Sequence, residues 1–161
     1  MNIPREKIEH EVSWFNGEVQ KFKDLLVTWL RELGHEVEIS EKKLEKVEEL
    51  SGPYKTKQYN LQIDGDLNLS LRPFAIWLIG AKGRIDVSGP SGSEKFIFLT
   101  AGGPGIISEI KDSSGRVIEQ SGRQFFKNVD ETNWYWYDDS SYRKVSKFSK
   151  EIVEPLLERL Q

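Results

Sequence analysis

Between Ile8 and Leu33 the apolar residues Ile8, Val12, Phe15, Val19, Phe22, Leu26, Trp29 and Leu33 recur in steps of four and three. That spacing returns a side chain to one side of a helix at every turn, so it predicts a long amphipathic helix from Pro4 to Leu33. Pro4 suits the first turn, where a missing N–H loses no partner, Glu6 and Glu9 lie at the positive end of the helix dipole, and Gly34 stands where a stop is expected. Trp14, Leu25 and Leu30 widen the stripe into a face suited to packing on a sheet. Gly17 weighs against a dedicated coiled coil.

Beyond the helix the pattern shortens. Val37 and Ile39 alternate briefly, and the charged run Ser40 to Leu50 then reads as a short helix capped by Ser40 and ended near Gly52-Pro53. Tyr59, Leu61 and Ile63 alternate before Asp64-Gly65-Asp66, and Leu67, Leu69 and Leu71 alternate after it, which predicts a β-hairpin. Only a three-residue loop keeps the apolar positions on one face, pairing Ile63 with Leu67, Leu61 with Leu69 and Tyr59 with Leu71. Pro73 ends or bends that strand. Further strands are expected at 74–79, 84–88, 95–100, 106–111, 116–119 and 134–137, with Ser146 capping a last helix through Phe148, Ile152, Leu156 and Leu160.

The fold class that follows is α+β: an antiparallel sheet of about five to seven strands packed by a long N-terminal helix and a C-terminal helix. One domain over residues 1–161 is expected, helical and acidic over 1–52, sheet over 53–140 and helical over 141–161. The chain has no cysteine, which excludes disulfides, thiolate nucleophiles and cysteine metal sites. Its formal net charge of −3 gives no global attraction to nucleic acid or anionic membranes. No apolar run approaches a membrane span and no basic start precedes an apolar stretch, so a cytoplasmic, unprocessed protein is expected.

Candidate chemistry is sparse. Asp86 ends one expected strand, and Glu109-Ile110-Lys111 lies in another, where a period of two sets Glu109 and Lys111 on the same face. Two carboxylates with a lysine two residues on can bind a divalent ion and set the amine beside an attacked phosphate. This arrangement resembles the Asp…Glu-x-Lys core of the PD-(D/E)xK nucleases over residues 84 to 111. The resemblance implies magnesium held by Asp86 and Glu109, with Lys111 assisting the attacking water.

Gly80-Ala81-Lys82-Gly83 looks like the GxxG loop of KH domains, but its strand-like flanks favour a glycine-rich β-turn, from which Lys82 and Arg84 would still face a phosphate. Gly103-x-Gly105-x-x-Ser108 is superficially a dinucleotide fingerprint, yet Pro104 removes a backbone donor and no crossover helix follows. His10 and His35 have no visible partner and read as solvated, and Asp138-Asp139 as turn residues.

Two surface features remain. Trp134-Tyr135-Trp136-Tyr137 alternates across a sheet, so one pair packs in the core and the other reaches the opposite face, an interface if that face is open. Arg143, Lys144, Lys147 and Lys150 crowd the start of the last helix, where positive charge is disfavoured; Asp138 and Asp139 are the nearest compensating groups, with a phosphate as the alternative. The leading expectation is a non-enzymatic protein-interaction domain of immunity, antitoxin or adaptor type, with another protein as partner and no cofactor. The alternatives are a magnesium-dependent nuclease using Asp86, Glu109 and Lys111, and a nucleic-acid-binding module using Lys82, Arg84 and the basic cluster.

Overall fold

The computed structural model describes residues 3–102, 105–111, 113–114, 117–124, 126, 129–138 and 144–161, with the backbone alone described for 105–111 and 117–124. The apolar stripe forms helix α1, Arg5–Glu32, which buries Phe15, Val19, Phe22, Leu26, Val27 and Leu30. Because the true period is 3.6, the stripe drifts: Leu30 is buried while Leu33 and Leu25 are exposed. Gly34, at φ 94°, closes the helix with the pair of bonds typical of a left-handed C-terminal stop, from Gly34 N–H to Arg31 O and from His35 N–H to Leu30 O.

Residues 40–50 are not helical. They belong to strand β1, Val37–Glu48, which pairs antiparallel with β2, Gly52–Ile63, in unbroken register from Val37 opposite Ile63 to Glu48 opposite Gly52. Lysine and glutamate favour helix locally and Leu44, Val47 and Leu50 have helical spacing, but a complete ladder along β2 outweighs those small propensities. Gly52, at φ 72°, provides the left-handed residue that the tight turn after Glu48 needs.

β2 continues into β3, Leu67–Ala75, through the three-residue loop the alternation predicts, with Ile63, Leu61 and Tyr59 opposite Leu67, Leu69 and Leu71. Pro73 bends β3 rather than ending it: the register with β4, Arg84–Gly89, shifts between Pro73 and Ala75. Residues 76–79 leave the sheet, and only an isolated bridge from Leu78 to Ala81 remains of the strand expected there.

β4 pairs with β5, Gly92–Leu99, and β5 with β8, Asn133–Tyr137, which pairs with the short β9, Val145–Lys147. The seven-stranded antiparallel sheet therefore runs β1-β2-β3-β4-β5-β8-β9, while β6, Gly105–Lys111, and β7, Val117–Gln124, pair as a separate two-stranded ribbon.

Ser146 lies in β9 and caps no helix. A single 3-10 turn at Lys150–Ile152 leads instead into α2, Val153–Leu160, whose Pro155 falls in the first turn where its missing donor costs nothing. The chain is thus an α+β fold, with α1 and α2 on the sheet.

The core is aromatic where α1 crosses β5 and β8. Phe22 stacks on Phe148 at a centroid distance of 4.0 Å and meets Phe96 and Trp134 edge-on at 5.0 and 5.7 Å. The other end of the sheet is tied down by α2. Ser91 N–H donates to Leu160 O at 3.1 Å, and a Cβ on Gly89 would stand 2.5 Å from that same oxygen, so the close approach requires glycine. Among the described residues no helix is long and apolar enough to cross a membrane.

Candidate functional site

The aromatic run at 134–137 is packed on both faces. Trp134 and Trp136 belong to the core beneath α1, while Tyr135, fully buried, joins Leu99, Val129 and Val145 in a second cluster on the reverse face, with Tyr137 packed against it. The open aromatic face that the alternation allowed for does not exist at Trp134, Tyr135 or Trp136, because Leu99, Val129 and Val145 pack on the side opposite the helix.

The residues of the nuclease-like triplet sit in different sheets. Asp86, on β4, accepts from Arg84 through both oxygens, Nε to Oδ1 at 2.8 Å and Nη2 to Oδ2 at 3.1 Å. Glu109 and Lys111 lie on β6 in the separate ribbon, opposite Gln120 and Val117, and their side chains are outside the described residues. Among the described residues no group of three His, Asp or Glu is placed to hold a metal ion.

Lys82 and Arg84 turn to different neighbours, Lys82 over the Trp14 ring on α1 at 5.7 Å and Arg84 over Phe74 at 3.8 Å. The Gly80 to Gly83 segment is the glycine turn its flanks suggest. Gly80 has φ 82°, and a Cβ on Gly83 would touch the Phe15 ring at 3.0 Å.

Two of the four basic residues near α2, Lys147 and Lys150, find acids inside the molecule. Lys147 pairs with Glu131 at 2.8 Å and Lys150 with Glu32 at 2.9 Å, while Asp138 pairs with Arg159 at 2.8 Å. Lys144 is exposed; Arg143, Asp139 and Gly103 lie outside the described residues.

His35 is not a free side chain. Its Nδ1 lies 2.7 Å from Asp64 Oδ2 and its Nε2 3.0 Å from Glu154 Oε1, so it clips the end of α1 to the β2–β3 turn and to α2. The hydrogen bond to Asp64, then that to Glu154, raises the imidazole above its ordinary value, and the same bond holds the Asp64 carboxyl below the usual range.

The sign of the resulting pH dependence follows from these two directions. A raised histidine stabilises fully below its unfolded value near 6.5 and stops stabilising as pH climbs through the higher folded value. A lowered aspartate stabilises above about 3.8 and stops as pH falls through its lower folded value. The His35→Gln variant is therefore expected to trail the native chain most between these limits and to converge with it as pH climbs through the raised imidazole value, as read by urea unfolding at a series of pH values.

A concave feature lies between α1 and the β1–β2 hairpin. It is a groove of about 590 Å³ lined from α1 by Asn16, Gly17, Val19 and Gln20, and from the hairpin by Lys43 to Glu45, Lys55 to Lys57 and Tyr59. Its sides are pinned together: Thr56 Oγ1 donates to Asn16 Oδ1 at 2.7 Å, and Asn16 Nδ2 donates to Lys55 O at 3.0 Å. Thr56, only 3% exposed, is satisfied by that bond.

Of the three lysines, Lys57 reaches Glu41 at a loose 3.4 Å, and Lys43 and Lys55 have no ion-pair partner among the described residues. In the sequence Gly17, inside α1 but off its apolar stripe, speaks only against a coiled coil. The class that fold and site define is an α+β protein with a seven-stranded meander-like sheet and a helix-flanked groove. No protein-family model, no curated protein and no solved structure was found to match the chain.

Proposed function

We propose that the protein is a non-enzymatic interaction domain, of the kind that immunity, antitoxin and adaptor subunits use, and that it meets its partner along the β1–β2 hairpin rather than at Trp134 to Tyr137. The observation that supports this reading is the state of β1. It is a 12-residue strand at the end of the strand order, so among the described residues no strand pairs with its outer row of N–H and C=O groups, of which Val37 O accepts from Arg31 Nη2 at 3.0 Å.

A long open edge is a template for another chain, and proteins that must remain monomeric shorten it, cover it or set charge along it. Here it is kept long and studded with charge of both signs, from Glu38 through Glu41, Lys42, Lys43, Glu45 and Lys46, which rejects indiscriminate strands and selects a complementary one. Apolar side chains accompany the edge: Ile39 is 43% exposed, Val47 71% and Leu50, in the turn, 44%. Strand addition of this type takes affinity from main-chain hydrogen bonds and specificity from alternate side chains.

The test is site-specific photo-crosslinking in the native host, with the reactive residue placed at Ile39 or Val47 and, as control, at the exposed Glu158 on α2. Discrete adducts from the two hairpin positions and none from Glu158 are expected. The same adducts from all three sites, or none from any, would overturn the reading.

A further inference from the structure

We propose that β1 is completed by a strand of the partner protein whose side chains run apolar, basic, acidic, basic, apolar along one face, opposite Val47, Glu45, Lys43, Glu41 and Ile39. The inference rests on the interaction reading above and gives the partner strand its chemistry and register.

The direction of the backbone groups decides which residues meet the newcomer. Asp64 N–H donates to Glu36 O at 2.8 Å, so residue 36 turns its polar backbone toward β2, and in an antiparallel ladder every second residue does the same. The residues between, Val37, Ile39, Glu41, Lys43, Glu45 and Val47, therefore direct N–H and C=O outward. Val37 O is already met by Arg31 Nη2 at 3.0 Å, which leaves the run from Ile39 to Val47 for an added strand. Access is open, since every residue from Glu38 to Lys43 is exposed.

The side chains of this outward row share one face of the hairpin. Along it they read aliphatic, acidic, basic, acidic, aliphatic, the same in either direction. Lys43, at the centre, stands opposite Lys57 of β2, a like-charge pairing that destabilises a ladder, and it has no ion-pair partner among the described residues. An acid on the added strand answers it from the outer side. Glu41 reaches Lys57 only at a loose 3.4 Å, which leaves its carboxylate able to take a second cation. On the other face Lys42 and Lys46 ask for acids, and Leu44 between them for an aliphatic residue.

A second copy of the chain does not supply this order. A two-fold axis normal to the sheet keeps each side chain on its own face, so it must pass through a residue of β1. Centred on Glu41, Lys42, Lys43, Glu45 or Lys46 it sets that charge against itself, and centred on Leu44 it sets Lys42 against Lys46. A uniformly negative nucleic-acid backbone fails as well, because Glu41 and Glu45 flank Lys43. The charges thus guard the edge against self-pairing and leave one complementary order open, with main-chain bonds giving affinity and the alternate side chains specificity.

The experiment titrates the isotopically labelled full chain, read by its amide resonances, with the capped peptide Val-Glu-Lys-Val-Glu-Glu-Lys-Thr-Val, whose residues answer Val47 to Ile39 in turn. The comparator is the isomer with its third and fifth residues exchanged, which has the same composition but sets like charge against Glu45 and Lys43. The first peptide is expected to move the amides of Ile39, Glu41, Lys43, Glu45 and Val47 downfield and to leave those of Ser40, Lys42 and Leu44, already bonded to β2, nearly in place. It should bind about tenfold more tightly than the isomer, since two pairs change from attraction to repulsion.

In a Lys43→Glu, Glu45→Lys double variant the preference should reverse, with the isomer now the tighter ligand by about tenfold. Both positions are exposed, and a reversed preference cannot come from misfolding. Equal binding of the two peptides, a preference that the double variant does not reverse, or β1 shifts that follow chain concentration with no peptide present would overturn the inference. If neither peptide binds while crosslinking through Val47 still yields discrete adducts, the strand inference falls and the interaction reading stands. If both fail, both fall.

Discussion

Phe22→Ala is expected to lower the unfolding free energy by about 3–5 kcal/mol, the usual cost of emptying a large aromatic from a closed core. Phe22 has no exposed surface and is the ring at which four elements of the fold meet. From α1 it stacks on Phe148, in the link between β9 and α2, at 4.0 Å, and it meets Phe96 of β5 and Trp134 of β8 edge-on. Each such aromatic contact adds about 0.5–1.5 kcal/mol beyond the area it buries, and none of the three partners can follow a shortened side chain across the gap without leaving its own strand or turn.

The exposed Leu25, 44% accessible on the same helix, is the natural comparator: Leu25→Ala should change stability by about 0.5 kcal/mol or less. Guanidinium unfolding followed by tryptophan fluorescence separates the two, since Trp134 reports on the same cluster. Equal losses at both positions would mean that α1 is not seated on the sheet as described.

The parts of the fold that sequence pattern exposes are those whose pairing partner is near in the chain. The 59–71 hairpin carries its register in its own alternation, because any loop but a three-residue one puts polar residues opposite apolar ones. The α1 stripe is equally local.

β1 is different: its residues prefer a helix in isolation, and the strand exists because β2 offers a full ladder and a turn that Gly52 can complete. The His35 clip joins residues 29 and 119 positions apart, and the groove joins one turn of α1 to a hairpin some 40 positions on. None of these side chains is unusual in type. Their significance comes from convergence, which composition and spacing do not carry. The residues that did stand out, the aromatic run at 134–137, stood out because the sheet buries both of its faces there.

Glu48→Ala is expected to cost about 2–4 kcal/mol and, unlike the Phe22 change, to act first on one end of the β1–β2 hairpin. Glu48 ends β1, half-buried, and its carboxylate collects three donors: the Tyr54 hydroxyl, Ile76 N–H at 3.0 Å and Trp77 N–H at 3.2 Å. Tyr54 is 6% exposed, and burial first, then the hydrogen bond to Glu48, pushes its hydroxyl far above the ordinary phenol value, so it remains a donor at any working pH.

The acid thus takes the place of a strand for residues 76–77, which the bulge at Pro73 to Ala75 has turned out of the sheet, and ties them to the tip of the hairpin. Removing it leaves backbone N–H groups without an acceptor, whereas Tyr54→Phe removes one donor and should cost only about 1 kcal/mol. Glu48→Gln lies between, because its amide offers one oxygen and turns two hydrogens toward the remaining donors.

Amide exchange distinguishes a local release from general weakening. Protection at Ile76 and Trp77 should fall before protection in β4 and β5. Uniform loss of protection across the sheet would show that Glu48 supports the whole core and has no particular part in setting the hairpin.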